Sequence, residues 1–521
     1  MKFLLNIWTV WLLVFSLAAC DTTTELHQSE DGPISTVFPE PNIMEGTSGD
    51  LWLTKESRLY SPEESVQPLL QLFASELAAI TGVFVDISPA NSSAADIKFD
   101  LDPSLAEEAF VIDIAQTVEV WGGSYGALVS AKGTLLQLAM KHTGGHLAFP
   151  QLHLEDQPDV AYRGLLVDLA RKWHTVEEIK PLIDLASFYK INYLQLHFTD
   201  HQSYTLPSEA FPNLRTPGRH YSVEELKELE AYSQLRGVTI VPELEVPGHS
   251  EQFVRAYPEI FAIEDTANNP WIIHMGREEV YEALDALIGE MVEVFQATPY
   301  FHIGGDEAYF ASVMDDAEVQ AYMAAKGLEP DVHELYRHFL VRMNEIVKRH
   351  GKQMCVWEGF TPEGKVAIPK DILVFEFETN RYLPGQLLED GYTVVNTSWK
   401  PLYVVNQKKW APETIYGWNL WRWENWFDQA PSIIPIQVEK NPLVVGAQMC
   451  SWEQPAEVEL PSLRQRLPYF VERIWNTEQQ LPFDAARARV EETDRLLSKL
   501  LQDDRQDSLL HGYNFSKEML E

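Results

Sequence analysis

Two carboxylic acids stand side by side at Asp306-Glu307, closing the run His302-Ile303-Gly304-Gly305-Asp306-Glu307. Such a pair can do acid–base work at an acetal: one group protonates the departing oxygen while the other faces the oxocarbenium-like centre left behind. Close together in a partly apolar pocket, the two carboxyls push their proton affinities apart, giving one acid and one base. The longer Glu307 is the better candidate acid. Neighbours on a regular strand point to opposite faces, so both reach one pocket only where the strand ends. Gly304 and Gly305 permit an irregular backbone or a close approach there. Taken alone, the run also fits a strand end capped by solvated acids.

From residue 160 onward, short apolar runs alternate with amphipathic helical stretches, which predicts βα units around a parallel sheet. Eight candidate strands cover Tyr162–Ala170, Ile191–Thr199, Val238–Val246, Tyr300–Ala308, Gln353–Phe360, Ile372–Thr379, Tyr392–Ser398 and Leu443–Trp452. Helical periodicity covers Thr175–Lys190, Ser222–Arg236, Glu278–Gln296 and Val332–His350. Eight such units predict an α/β chain with a (β/α)8 TIM barrel, whose chemistry belongs at the C-terminal strand ends. The sequence concentrates polar and aromatic residues at those ends: Asp200 and His201 after the second, Glu243 to His249 after the third, Trp357-Glu358 after the fifth, and Trp452-Glu453 after the eighth.

The expected organisation is a leader over 1–20, a polar tether over 21–35, a small α+β domain over 36–157, the barrel over 158–490 and a helical tail over 491–521. In the small domain, strands fit Phe110–Ile114 and Val118–Trp121 and helices fit Glu64–Ile80 and Ser124–Lys141, with no catalytic constellation. The leader has Lys2, an apolar run from Phe3 to Ala19, and Leu17-Ala18-Ala19-Cys20. That ending resembles a bacterial lipoprotein processing box, with Cys20 lipidated, so the expectation is export and a membrane contact made through a lipid anchor only. Cys355 and Cys450 are the remaining cysteines, too few for a disulfide framework, and their apolar surroundings predict buried free thiols.

The chain has 78 acidic against 40 basic residues, a formal net charge of −38, which disfavours nucleic acid and anionic membrane surfaces as partners and suits a neutral or weakly steered substrate. The same charge also serves solubility. Seven of the 15 tryptophans fall within 399–452: Trp399, Trp410, Trp418, Trp421, Trp423, Trp426 and Trp452. Flat rings with a polar edge suit sugar faces, so two or three should line a pocket and the others should pack a long connection between the last two strands. His197, His249 and His302 lie on different strand ends without metal-motif spacing, so neither a metal nor another cofactor is expected.

HIGGDE, with VPELEVPGH, HFTDHQ and YRGLLVDLARK upstream in order, resembles glycoside hydrolase family 20, the β-N-acetylhexosaminidases. The resemblance spans about residues 160–455, and the small leading domain fits it too. It implies exo-acting removal of a terminal β-linked N-acetylhexosamine from oligosaccharides or glycoconjugates, by a retaining, substrate-assisted route without an enzymic nucleophile. In that route Asp306 orients the substrate's 2-acetamido group and Glu307 is acid, then base. Tyr403 bonds the acetamido carbonyl. By the same resemblance Arg163 binds ring hydroxyls, Asp200 holds His249 against Glu307, and Trp357 and Trp452 are pocket walls. His302 and Trp399 fall to support of the acid or the wall.

Three positions depart from the family pattern. Val405 stands where Tyr-x-Asp would put an acid, Gln454 where Trp-x-Glu would put one, and the run Phe375-Glu376-Phe377-Glu378 replaces a tryptophan. Asn406, Glu376, Glu378, Glu453 and Gln454 are candidate substitutes, and the loss of acids near C4 and C6 of the sugar implies weak preference for the gluco epimer. Two other readings stay open: a carbohydrate-binding lipoprotein without turnover, and a retaining β-glycosidase of another specificity, with Glu358 or Glu453 as nucleophile.

Overall fold

The computed structural model describes residues 36–507, apart from 89–94, 140, 144–145, 407–408, 426–434 and 479. Cys20, the leader, the tether and Trp426 lie outside the described residues.

Eight parallel strands form the barrel: β1 (Tyr162–Asp168), β2 (Tyr193–His197), β3 (Thr239–Glu243), β4 (Tyr300–His302), β5 (Gln353–Trp357), β6 (Leu373–Glu376), β7 (Thr393–Asn396) and β8 (Val444–Trp452). Neighbours in sequence are neighbours in space, and β8 pairs with both β7 and β1, closing the sheet. All eight expected strands are present, but most stop several residues before their apolar runs do. The chain leaves the extended conformation early at the C-terminal ends, β4 after only three residues. Helices Val176–Phe188 and Val223–Leu235 begin with capping boxes, Thr175 with Glu178 and Ser222 with Glu225, which satisfy the first free N–H groups.

The barrel interior grades from apolar to charged. At its N-terminal end Tyr162 stacks on Tyr193 with ring centroids 4.6 Å apart, and Tyr300 and Phe375 close around them. Above them Tyr162 donates to Gln448 at 3.1 Å, Gln448 to Gln195 at 2.9 Å, and Gln195 to Glu243 at 2.9 Å. Along this chain from Tyr162 to Glu243 each side chain thus has a partner, as burial demands. Cys355 and Cys450 are buried free thiols in the same interior.

The small domain is a mixed eight-stranded sheet. Its helices Gln67–Thr81 and Tyr125–Leu138 pack on each other, and the second also lies against the barrel helix Val176–Phe188. The seam with the barrel carries a fully buried ion pair, Lys190–Asp156 at 2.8 Å, and Trp475 Nε1 also donates to Asp156 at 2.8 Å. The boundary expected at 490/491 falls inside one helix, Phe483–Leu501. That helix is no detached tail: it packs on Gln67–Thr81 of the small domain and on Val176–Phe188 of the barrel, burying Ala486, Val490, Leu496 and Leu497.

Candidate active site

The site is built where β4 gives out. Gly304 has φ +70°, and a Cβ there would lie 1.8 Å from Glu245 Oε2, so the position admits only glycine. Gly305 donates its N–H to Glu245 Oε1 at 2.9 Å. This turn brings Asp306 and Glu307 to one side of the barrel mouth, with Glu307 itself at φ 47°. Asp306 is half-buried and Glu307 exposed.

Behind Glu307 runs a chain of charges from strand ends β2 and β3. His249 Nε2 stands 3.4 Å from Glu307 Oε2, and its Nδ1 stands 3.4 Å from Asp200 Oδ1. Burial alone would strip the His249 proton, but its bonds to Asp200 and Glu307 win and raise its pKa to about 10. Asp200 is also held by His197 Nε2 at 3.0 Å and Arg171 Nη2 at 2.6 Å. His197 reaches Glu243 with its other nitrogen at 2.8 Å. The hydrogen bond from His249 holds the Glu307 carboxyl below the usual glutamate range. Burial, with the charges of Glu307 and Glu243, pushes Asp306 up to about 6, His249 partly offsetting it.

These directions define a pH profile. One proton on the Asp306–Glu307 pair is needed for acid catalysis, so kcat/KM should fall as pH rises through about 6. His249 lowers both carboxyls, so His249→Gln should move this limb to higher pH. A kcat/KM–pH series on an aryl glycoside checks it; a limb unmoved in the variant would contradict the charge relay.

Aromatic rings form the wall beside the pair. Trp357 is buried and donates Nε1–H to Glu243 at 2.6 Å, lying 6.0 Å from Trp452 between ring centroids. Tyr403 is stacked parallel to Phe377 at 6.2 Å, with Trp399 at 5.6 Å and Trp452 at 6.0 Å. Burial raises the Tyr403 phenol well above its usual range, and the charges of Asp306 and Glu307 add to the rise, so the hydroxyl stays a hydrogen-bond donor facing the pair. His302 is buried against Trp357 and Phe375, at 5.0 and 4.9 Å, as a support of the wall. Of the tryptophans in 399–452, Trp399 and Trp452 join this wall, whereas Trp418 and Trp423 are buried in the core. Phe377 occupies the wall from the run that replaces the family tryptophan.

Two expectations need correction. Arg163 lies at the N-terminal end of β1, the far end of the barrel, where its guanidinium meets Glu108 at 2.7 Å and the carbonyls of Val160 and Lys190. It cannot reach a sugar at the mouth. The arginine at the mouth is Arg171, three residues beyond β1, over the Trp452 ring at 5.2 Å and 3.3 Å from Asp168. Burial works against its charge, but Asp168, Asp200 and Glu453 overcome that and hold it protonated. The strand-end rule applied to β1 points to Arg171 within the same YRGLLVDLARK motif. Gln454, in turn, does not face the pocket. It is buried and donates to Ser451 and Glu459, because Glu453 at φ 58° turns the chain inward. A glutamate at 454 would bury a second carboxyl beside Glu459. Glu453 itself is exposed near Arg171, and Val405 is half-buried alongside Trp452.

Glu358 is buried and accepts the N–H groups of Arg381 at 3.0 Å and Tyr382 at 2.7 Å. Glu376 is buried and accepts that of Thr379 at 2.7 Å. Among the described residues three groups could offer ligands to a metal: Asp200, His201 and His249; His197, Glu243 and Glu245; and His249, Asp306 and Glu307. In each, a histidine already has both ring nitrogens on carboxylates of the chain.

Strand-end carboxylates, a charged histidine relay and an aromatic wall on a (β/α)8 barrel define the class as a glycoside hydrolase. The chain belongs to glycosyl hydrolase family 20: the catalytic domain of that family matches residues 160–478, and its domain 2 matches residues 35–157. It is 27% identical to a beta-hexosaminidase of Vibrio furnissii over 413 residues, 74% of this chain and 66% of that one. The chain thus spans just under two thirds of that relative's length. In fold it is similar to the beta-N-acetylhexosaminidase of Bacteroides fragilis, at TM-score 0.78 and 22% identity, covering 92% of this chain and 99% of that one. It is also similar in fold to the GH20 exo beta-N-acetylglucosaminidase of Vibrio harveyi crystallised with N-acetylglucosamine, at TM-score 0.77 and 23% identity, covering 90% and 78%.

Proposed function

We propose that the chain is an exo-acting β-N-acetylhexosaminidase that works with retention through the substrate's own acetamido group. The observation that carries the reading is the meeting of Asp306, Glu307 and Tyr403 at one aromatic wall, while the alternative nucleophiles are committed elsewhere. Glu358 is buried under two backbone N–H groups, and Glu453 lies exposed beside Arg171.

In the first step the acetamido carbonyl oxygen attacks C1, and the C1–O bond to the leaving group breaks. Glu307 gives its proton to that oxygen. The ring nitrogen of the cyclised intermediate carries positive charge, which the Asp306 carboxylate stabilises, while the Tyr403 hydroxyl donates to the carbonyl oxygen. In the second step Glu307 takes a proton from water, whose oxygen attacks C1 and reopens the ring. In the free site the proton favours Asp306; an acetamido N–H donated to Asp306 favours its ionised form and leaves the proton to Glu307. Arg171 is placed to bond ring hydroxyls beside Trp452. The relatives named as hexosaminidases, one with N-acetylglucosamine bound, support the same substrate class.

The test is turnover of 4-nitrophenyl β-N-acetylglucosaminide and its galacto epimer, with proton NMR of the first product anomer. The expected result is hydrolysis of both, with β product first. The gluco:galacto ratio of kcat/KM should be below about 100-fold, some 2.7 kcal/mol, since no acid stands at Val405 and Gln454 is turned away. No turnover of either, or α product first, would overturn the reading.

A further inference from the structure

Among the described residues five large apolar side chains are exposed, and three of them, Ile43, Trp52 and Phe84, belong to the small domain. The other two, Trp271 at 41% and Tyr309 at 53%, meet each other edge to face at the barrel mouth, with ring centroids 5.9 Å apart. Single exposed rings need no explanation, but a contiguous pair beside a catalytic acid marks a contact surface. The two come from different loops, Trp271 from the segment after β3 and Tyr309 from the turn after β4. Their backbones are fixed from below. Buried Asn269 donates its Nδ2–H groups to the carbonyls of Tyr309 at 2.7 Å and Ala311 at 2.8 Å, tying one loop to the other. The buried Ser250 N–H donates to the Trp271 carbonyl at 3.3 Å. Gly248, in the same segment, packs on the catalytic turn; a Cβ there would meet the Asp306 carbonyl at 3.0 Å and Ala308 Cα at 3.2 Å. The rings are thus held out in water by a buried brace, with little loop freedom left to lose on binding.

The position selects which part of a substrate the pair meets. Tyr309 follows Glu307 by two residues, so their Cα atoms lie within about 7.6 Å of each other. A line of rings leads from the acid to the same place. His249 stands 3.4 Å from Glu307, its ring is 4.8 Å from that of His201, and His201 is 6.5 Å from Trp271. The wall for the released sugar stands at the ends of β5 to β8, whereas Trp271 and Tyr309 stand beyond β3 and β4, across Glu307 from it. The departing oxygen has to come within hydrogen-bond reach of Glu307, so the saccharide that carries it leaves the pocket past this pair. Indole and phenol rings offer apolar faces to the C–H faces of pyranoses and polar edges to their hydroxyls. Glu251 and Asp265, in the same segment as Trp271, add negative charge, which favours a neutral chain. We propose that Trp271 and Tyr309 form a platform for the second and third sugars of a neutral saccharide chain, so that the enzyme favours oligosaccharides over simple glycosides. This rests on the hydrolytic reading given above and names the substrate class of that site.

The experiment compares initial kcat/KM for the β-1,4-linked trisaccharide of N-acetylglucosamine and for methyl β-N-acetylglucosaminide, which has no second sugar. Trp271→Ala should lower the trisaccharide-to-methyl ratio by roughly 10-fold, the order expected for covering one aromatic face. Tyr309→Ala should lower it in the same direction, and Trp271→Phe should keep most of it, since a ring remains. Trp52→Ala removes a similarly exposed tryptophan of the small domain and should leave the ratio at its wild-type value. Because the readout is a ratio within each protein, a general loss of activity in the variants does not mimic the effect. A ratio in Trp271→Ala equal to that of the wild type, or an equal fall in Trp52→Ala, would overturn the proposal while 4-nitrophenyl glycoside turnover stayed intact. Absence of that aryl turnover in the wild type would instead remove the hydrolytic reading, and this proposal with it.

Discussion

Glu307→Gln is expected to lower kcat by roughly 10²–10⁴-fold on substrates with a poor leaving group, the usual contribution of general acid–base catalysis. An alkoxide leaving from a disaccharide needs a proton, and glutamine cannot supply one. A nitrophenolate departs without it, so on 4-nitrophenyl glycosides the first step should be affected far less. The substitution keeps the shape and one acceptor for His249, 3.4 Å from the native carboxyl. It also removes the charge that helps to push Asp306 up, so the remaining carboxyl should titrate lower than the native pair. The check is the ratio of disaccharide to aryl-glycoside rates in variant and wild type. An equal loss on both would mean that Glu307 is not the proton donor.

The second large effect concerns the substrate rather than the protein. On the proposed mechanism, replacing the 2-acetamido group by a hydroxyl removes the internal nucleophile, and of the two alternative carboxylates Glu358 is bound by two backbone N–H groups while Glu453 lies beside Arg171. Turnover of a 4-nitrophenyl β-glucoside should therefore be at the limit of detection. A thiazoline that mimics the cyclised intermediate should inhibit strongly, because it meets Asp306 and Tyr403 as the transition state does. Asp306→Asn should weaken that inhibitor, since an amide cannot offset the positive charge on the ring. Efficient hydrolysis of the plain glucoside would sink substrate assistance.

The barrel was legible because its strands are buried on both faces and so read as apolar runs. The run from Tyr300 includes Ile303 and Ala308, both buried, yet regular extension ends at His302. Apolarity reports burial, and the backbone there turns through Gly304 while staying buried. The chemistry at the ends of β2, β3, β4 and β5 was readable from residue types alone. Arg163 was misplaced because the motif holds two arginines at opposite ends of one strand, and it is Arg171, beyond the C-terminal end, that the strand direction carries to the mouth. Gln454 was misread because direction after a strand depends on the single positive φ at Glu453, which residue types do not disclose.

The helix Phe483–Leu501 closes over Gln67–Thr81, so one of the first helices to leave the ribosome is covered by one of the last. Roughly 400 residues separate them, about 20–80 s of synthesis at 5–20 residues per second. Throughout that interval the small domain can form its sheet, but its outer helix keeps an uncovered apolar face. The nascent chain thus carries an uncovered apolar surface for most of its translation. A stop codon between residues 454 and 483 leaves that surface permanently bare, even though every strand of the barrel and every residue of its mouth has been made.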